Sequence, residues 1–220
     1  MSSLNRNTPS QPLIGVLALQ GDFAEHIHML GEIGAHAVEV RKVEQLFEID
    51  GLIIPGGEST TIVKLLMRFG FVDQLRSRVE SGMALWGTCA GMIVIARELT
   101  DSYPTPLNLL DIGVSRNYFG RQVDSFEAEI DIEGIDGEAM RAVFIRAPVV
   151  SDVGDGVVKI ASLDDGQAVA VKKGRVLASS FHPELTTDTR MHSLFVELAR
   201  EGQIDNLNPT RNAEEISNTV

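Results

Sequence analysis

Residues 84–96 read ALWGTCAGMIVIA: an apolar run, a cysteine framed by Gly87 and Gly91, then a second apolar run. The G-x-C-x-G spacing predicts an abrupt turn from strand into helix, where β-carbons at the flanking positions would collide across the bend. Such a turn raises Cys89 at the carboxyl edge of a sheet, which is where open α/β sheets hold their ligands. There the sulfur would face the unpaired N–H groups of the helix start, Ala90 N–H among them, and the positive end of the dipole. Both suit a developing negative charge. The plainer reading is a small buried cysteine filling a turn. The catalytic reading requires a base beside it.

Outward from this turn, short apolar runs alternate with amphipathic ones. LIGVLAL (13–19) is a continuous β-rich run, the pattern of a strand covered on both faces. In DFAEHIHMLGEIG (22–34), Phe23, Ile27, Leu30 and Ile33 recur at helical spacing, and Gly34 marks the stop. HAVEV (36–40) and GLIIPGG (51–57) read as strands. STTIVKLLMRFG (59–70) reads as a helix capped by Ser59 or Thr60, and VDQLRSRVES (72–81) as another. MALWGTCAGMIVIAREL (83–99) gives strand, turn and helix. Strands separated by helices imply right-handed crossovers, hence an α/β fold with a mainly parallel central sheet and helices on both faces.

The second half changes character. VSRNYFGRQVDSFEAEIDIEGIDG (114–137), AVFIRAPVV (142–150), GVVKIASL (156–163), GQAVAVKKG (166–174) and RVLASSF (175–181) read as strands with no room for helices between them. Added antiparallel pairing is expected there. TDTRMHSLFVELAREG (187–202) returns to helix, with Met191, Leu194, Phe195 and Leu198 on one face. One domain over 13–200 is expected, with polar ends at 1–12 and 201–220 that are mobile unless a partner orders them.

Of the 220 residues, 44% are hydrophobic and 23% charged, the balance of a soluble globular protein. No apolar run approaches the ~20 residues a spanning helix needs. The start, MSSLNRNTPSQP, lacks a signal-peptide core, and the single cysteine suits a reducing compartment, so a cytoplasmic location is expected. Lys and Arg total 19 against 31 Asp and Glu, a net charge of −12. That balance leaves no electrostatic footprint for nucleic acid or an anionic membrane.

Among the five histidines, His26 and His28 lie two apart on a predicted helix, so their side chains diverge and cannot share a metal. His36 and His192 read as surface or packing residues. In SSFHPEL (179–185), His182 and Glu184 project to the same side of an extended chain stiffened by Pro183. A carboxylate so placed can hold one imidazole nitrogen and leave the other facing a nucleophile; a solvated His-Pro-Glu turn is the alternative. In LIIPGGEST (52–60), Gly56 and Gly57 end a strand and free N–H groups, so Gly57 would be a second oxyanion donor beside Ala90. The G-K-[ST] of a phosphate loop is missing, and a plain strand-to-helix turn remains the alternative.

PGGES, GTCAG and FHPEL, in that order, resemble the class I, triad-type glutamine amidotransferases, a flavodoxin-like α/β family. GVLALQGDFAEHI, PGGESTTI, GTCAGMI, RNYFGRQVDSFE, FIRAP and SFHPELT narrow the resemblance to the glutaminase subunits of pyridoxal 5′-phosphate synthase, from about Leu13 to Arg200. GRQVDSFE and LQGD are what separate that subfamily from other amidotransferases. The resemblance implies a catalytic triad of Cys89, His182 and Glu184, an oxyanion hole from Gly57 and Ala90, and L-glutamine held by Gly57, Glu58, Ser59, Arg116, Ile145 and Arg146. Guanidinium groups suit the carboxylate of a free amino acid; an ordinary surface ion pair is the other reading of each arginine. The resemblance further implies no cofactor and no metal in the glutaminase itself. Its partner would be a separate synthase subunit, twelve glutaminases decorating a dodecameric core. Gln20 of LQGD, on the same sheet edge as the proposed site, is expected to couple docking to the oxyanion hole.

Overall fold

Ile14, Val16, Ile53, Ala84 and Trp86 share one apolar cluster, while Leu17, Leu52, Ile54 and Leu85 belong to another. That two-residue alternation means a sheet buried on both faces, and it is what a computed structural model of the chain shows. The structure describes residues 11–101, 103–116 and 125–207.

The central sheet has seven strands. Helix α1 (Phe23–Glu32) joins strands β1 (Leu13–Leu17) and β2 (His36–Val40), a 3₁₀ segment (Val43–Phe47) joins β2 to β3 (Gly51–Ile54), and helices α2 (Ser59–Arg68) and α3 (Phe71–Glu80) together join β3 to β4 (Ala84–Thr88). Helix α4 (Ala90–Ile95) follows β4 directly, and α5 (Arg190–Leu207) closes the described chain. Helices α2, α3 and α4 cover one face through Ile62, Val63, Leu66, Phe71, Leu75 and Val94. Helices α1 and α5 cover the other through Leu30, Met191, Phe195 and Leu198, the side-chain stripes expected of them.

The remaining strands are β5 (Ala96–Leu99), β6 (Leu110–Ser115), β7 (Ser125–Ile130), β8 (Met140–Ile145), β9 (Val149–Val153), β10 (Val158–Ser162), β11 (Ala168–Lys173) and β12 (Val176–Ser179). The sheet order is β10-β11-β12-β4-β3-β1-β2, with β5-β6-β9 and β7-β8 forming two smaller sheets. Antiparallel pairing holds for β10/β11, β11/β12, β6/β9 and β7/β8. Strand β12, however, runs parallel to β4, registering Ser179 against Thr88. The parallel core therefore recruits one strand from the half expected to be antiparallel.

Several boundaries differ from the sequence expectation. The helix after the cysteine ends at Ile95, and Ala96–Leu99 is strand, because β-branched Ile93, Val94 and Ile95 favour a short helix and β6 offers a partner. AVFIRAPVV divides into β8 and β9 at Arg146, whose φ of 44° breaks an extended run. Strand β1 stops at Leu17 rather than Leu19. Helix α5 continues to Leu207, into the stretch expected as a tail. The cap of α2 is Glu58, not Ser59 or Thr60: its carboxylate accepts from Thr60 N at 3.3 Å and Thr61 N at 2.8 Å. Positions 1–10, 102, 117–124 and 208–220, with the NYFGRQVD part of the quoted motif, lie outside the described residues. Among those described, no helix is long and apolar enough to cross a membrane.

Candidate active site

Sheet order explains how residues far apart in the chain meet. Strands β12, β4, β3 and β1 are consecutive and parallel, so their carboxyl ends share one edge. The segments leaving them carry His182, Cys89, Gly57 and Gln20 in that spatial order. Cys89 N–H donates to Ser179 O at 2.8 Å, tying the elbow to the end of β12. His182 N–H donates to Val143 O at 2.8 Å, which draws β8 and its Ile145 towards the same edge.

Cys89 occupies the turn with φ 47° and ψ −106°, a strained conformation for a residue with a side chain. Its thiol is largely buried and approaches Ile145 O at 4.0 Å. Cys89, Ala90, Gly57, Glu58 and Ser59 line one cleft of about 160 Å³, which Ile93, Arg116, Ile145 and Arg146 complete. That is well below the ~300–1,000 Å³ of sites for drug-sized ligands and suits one amino acid. A roomier cleft of about 590 Å³ lies on the far side of Glu184. Its lining includes neither a cysteine nor a serine, so size does not decide where the chemistry lies.

His182 stands against the cysteine side of the cleft, its Nδ1 2.7 Å from Glu184 Oε1. Burial pulls its pKa down, but hydrogen bonding and charge attraction from Cys89 and Glu184 outweigh burial and push it up to about 10. Burial pushes the Glu184 carboxyl above its ordinary value, against the pull of His182. A second carboxylate, Asp22, approaches His182 Nδ1 at 3.9 Å. Asp22, His182 and Glu184 are near enough to one another to share a cation. The imidazole nitrogen among them is already bonded to Glu184, however, so the cluster is an acid–base arrangement.

Of the other expected residues, Gln20 Oε1 accepts from Glu58 N–H at 2.8 Å, fastening the loop after β1 to the Gly57–Glu58 turn. Burial nudges the Glu58 carboxyl up, but hydrogen bonds from Thr61 and Thr60 hold it below the usual range, as an anion. Arg116 donates from Nη1 to Tyr103 O at 2.7 Å, with Nη2 4.0 Å from Glu58 Oε1. Arg146 is exposed at the rim.

His26, Thr88, Trp86 and His192 were not expected at the site. All four are fully buried; His26 Nε2 lies 3.4 Å from Glu184 Oε2, and Thr88, Trp86 and His192 surround His26. His26 lies between Phe23 and Leu30 on the apolar stripe of α1, and that spacing was the available signal.

Gly56 allows a sharp test. A β-carbon there would stand 2.5 Å from His182 Cε1 and 3.0 Å from Nδ1. The ring can yield, and in yielding it leaves Glu184. Gly56→Ala is expected to lower kcat about 100-fold, the cost of an ångström's misplacement. The thermal midpoint should change little. Wild-type kcat in a folded variant would contradict the placement of the imidazole.

This fold and site define a glutamine amidotransferase: residues 16–201 match the SNO glutamine amidotransferase family, and the chain belongs to that family. Among individual relatives, the pyridoxal 5′-phosphate synthase subunit PdxT of Dehalococcoides mccartyi is 56% identical over 189 residues, 85% of this chain and 97% of that protein. The PdxT of Rhodococcus jostii is 51% identical over 199 residues, 87% of this chain and 98% of that one. A crystal structure described as a glutamine amidotransferase superposes with a TM-score of 0.80 at 52% identity, covering 84% of this chain and 98% of its own. PurLQS from Thermotoga maritima, at 17% identity and a TM-score of 0.61, shares the fold.

Proposed function

We propose that this chain is the glutaminase subunit of a pyridoxal 5′-phosphate synthase. It hydrolyses L-glutamine to L-glutamate and ammonia and delivers the ammonia to a separate synthase subunit. The observation that carries the chemistry is the Cys89 elbow opening on an amino-acid-sized cleft beside an imidazole that Glu184 holds at 2.7 Å. The relatives above carry the pathway.

His182 takes the Cys89 proton, and the sulfur attacks the side-chain amide carbon of glutamine. The oxyanion of the tetrahedral intermediate is held by the amides of Gly57 and Ala90. His182 then protonates the departing nitrogen, releasing ammonia and leaving a thioester. Water, deprotonated by His182, attacks the thioester, and the thiolate leaves as glutamate forms. Glu184 keeps the imidazole oriented. The GGES loop, Ile145, Arg116 and Arg146 bind the rest of the substrate, the guanidiniums facing its carboxylate. Gln20 gives docking a lever, because a partner that moves the loop after β1 pulls on the Glu58 amide and thereby turns the Gly57 peptide.

The test is ammonia release from glutamine with and without the synthase subunit. Weak release alone, raised severalfold by the partner in a complex whose mass fits twelve glutaminases on a dodecameric core, is expected. Equal stimulation by the synthase of an unrelated amidotransferase would overturn the pathway assignment.

A further inference from the structure

We propose that His26 is a positioning residue for the triad: braced by His192, it donates from Nε2 to Glu184 and fixes the carboxylate that orients His182. The inference rests on the glutaminase reading and extends it to two histidines outside the cleft.

Glu184 is almost wholly buried, and its two oxygens are treated differently. Oε1 accepts from His182. Oε2 has no contact of full hydrogen-bond quality among the described residues, and the nitrogen facing it is His26 Nε2, at 3.4 Å. The same nitrogen lies 3.2 Å from Thr88 Oγ1, the residue before the nucleophile. On its other side His26 Nδ1 stands 3.0 Å from His192 Nε2. Strand β4, helix α1 and helix α5 therefore converge behind the triad carboxylate, with Trp86 packed edge-on against both rings.

Proton counting selects one arrangement. A buried carboxylate oxygen needs a donor, so His26 carries its hydrogen on Nε2, shared between Glu184 and the weaker acceptor Thr88. His26 Nδ1 then accepts, which requires His192 to donate from Nε2. The atom left over is His192 Nδ1, which has no hydrogen-bond partner among the described residues. In this tautomer it is a bare lone pair, cheaper to bury than an N–H. Both rings are neutral: burial first, then the repulsion that positive charge on His192 or His182 would exert, holds His26 well below the ordinary imidazole value, and burial takes His192 down to about 4. The reverse arrangement would strand an N–H at His192 and face Glu184 with a lone pair.

The groups able to titrate around this carboxylate are His182 on its own turn, Asp22 and His26 from the α1 side, and Cys89 beyond the imidazole. The cleft behind it carries His28, Glu32, Glu129, Arg141 and Asp188. His26 and His182 alone among them have a ring nitrogen within 3.4 Å of a Glu184 oxygen.

The experiment uses the full chain with its synthase subunit, rates being normalised to sites alkylated by a glutamine-like electrophile. His26→Leu is expected to lower kcat about ten- to a hundredfold, the effect of losing one hydrogen bond to a buried charge, with KM for glutamine unchanged. Without that donor Glu184 turns or takes up a proton. Its pull on His182 weakens, burial dominates, and the imidazolium loses its proton at lower pH. The alkaline limb of the kcat profile should therefore move to lower pH, which a purely structural defect would not cause. His26→Gln, whose amide nitrogen can stand near Nε2, should restore most of the rate.

An active wild type with an unchanged limb in His26→Leu, or Gln no better than Leu, overturns the proposal alone. A wild type that releases no ammonia overturns the glutaminase reading with it. Should His26→Leu not fold, His192→Leu decides: a smaller loss with the same shift supports the proposal, and an unshifted limb overturns it.

Discussion

Cys89→Ala is expected to lower glutamine-dependent ammonia release by on the order of 10⁴-fold or more, because removing a nucleophile leaves only binding and oxyanion stabilisation. No other thiol exists in the chain to substitute for it. The fold should survive. The side chain is small, borders a cleft and has no packing role that a methyl cannot fill, and the strained φ of 47° is equally costly for alanine. Thermal midpoints of the two proteins should therefore agree within a few degrees. The variant also separates binding from chemistry: glutamine should still protect against unfolding, since the groups proposed to bind it, Arg116, Arg146 and the GGES loop, are intact. Residual ammonia release within tenfold of wild type, in the presence of the synthase subunit, would sink the thiol mechanism.

Much of this is legible in the sequence. The elbow follows from Gly87, Cys89 and Gly91 at fixed spacing, and the parallel core follows from apolar runs alternating with amphipathic ones. The pair His182 and Glu184 was visible because i and i+2 share a side in extended chain, although the backbone from Pro183 to Leu185 is a single 3₁₀ turn that achieves the contact differently. Strand order was not legible. Nothing local in RVLASSF says that it lies beside β4 rather than only against its antiparallel neighbour β11, and that adjacency is what brings His182 to Cys89.

The cap of α2 shows a second kind of gap. Ser59 and Thr60 have the stronger intrinsic preference for an N-cap, yet the Glu58 carboxylate reaches the Thr60 and Thr61 amides from one residue earlier. His192 shows a third. It lies on the same buried side of α5 as Phe195, Val196 and Ala199, but a histidine on an apolar face can be read as packing. Only the approach of α1 across the sheet edge reveals a nitrogen for it to hold.

Gly91→Ala is the second large effect expected, and it acts on stability and chemistry together. A β-carbon at Gly91 would stand 2.0 Å from Ile54 O and 2.9 Å from Ile54 C, and one at Gly87 would meet Gly91 itself at 2.5 Å. These neighbours are backbone, at the end of β3 and in the first turn of α4, and cannot rotate away. To admit the methyl group, the start of α4 and the end of β3 must separate by about 1 Å, against packing as dense as an organic crystal. The cost should be about 3 kcal/mol or more, at the upper end for overpacking, which for a chain of this size lowers the thermal midpoint by roughly 10 °C. The same displacement moves Ala90 on one side and the segment leading to Gly57 on the other. Both proposed oxyanion donors therefore leave their positions at once, and kcat should fall by about 100-fold or more even at temperatures where the variant is fully folded. Thermal unfolding and ammonia release measured on the same preparation check the two halves. A Gly91→Ala protein with the wild-type midpoint and rate would mean that the helix does not press on Ile54, and that the elbow is not held by the close approach of backbone to backbone.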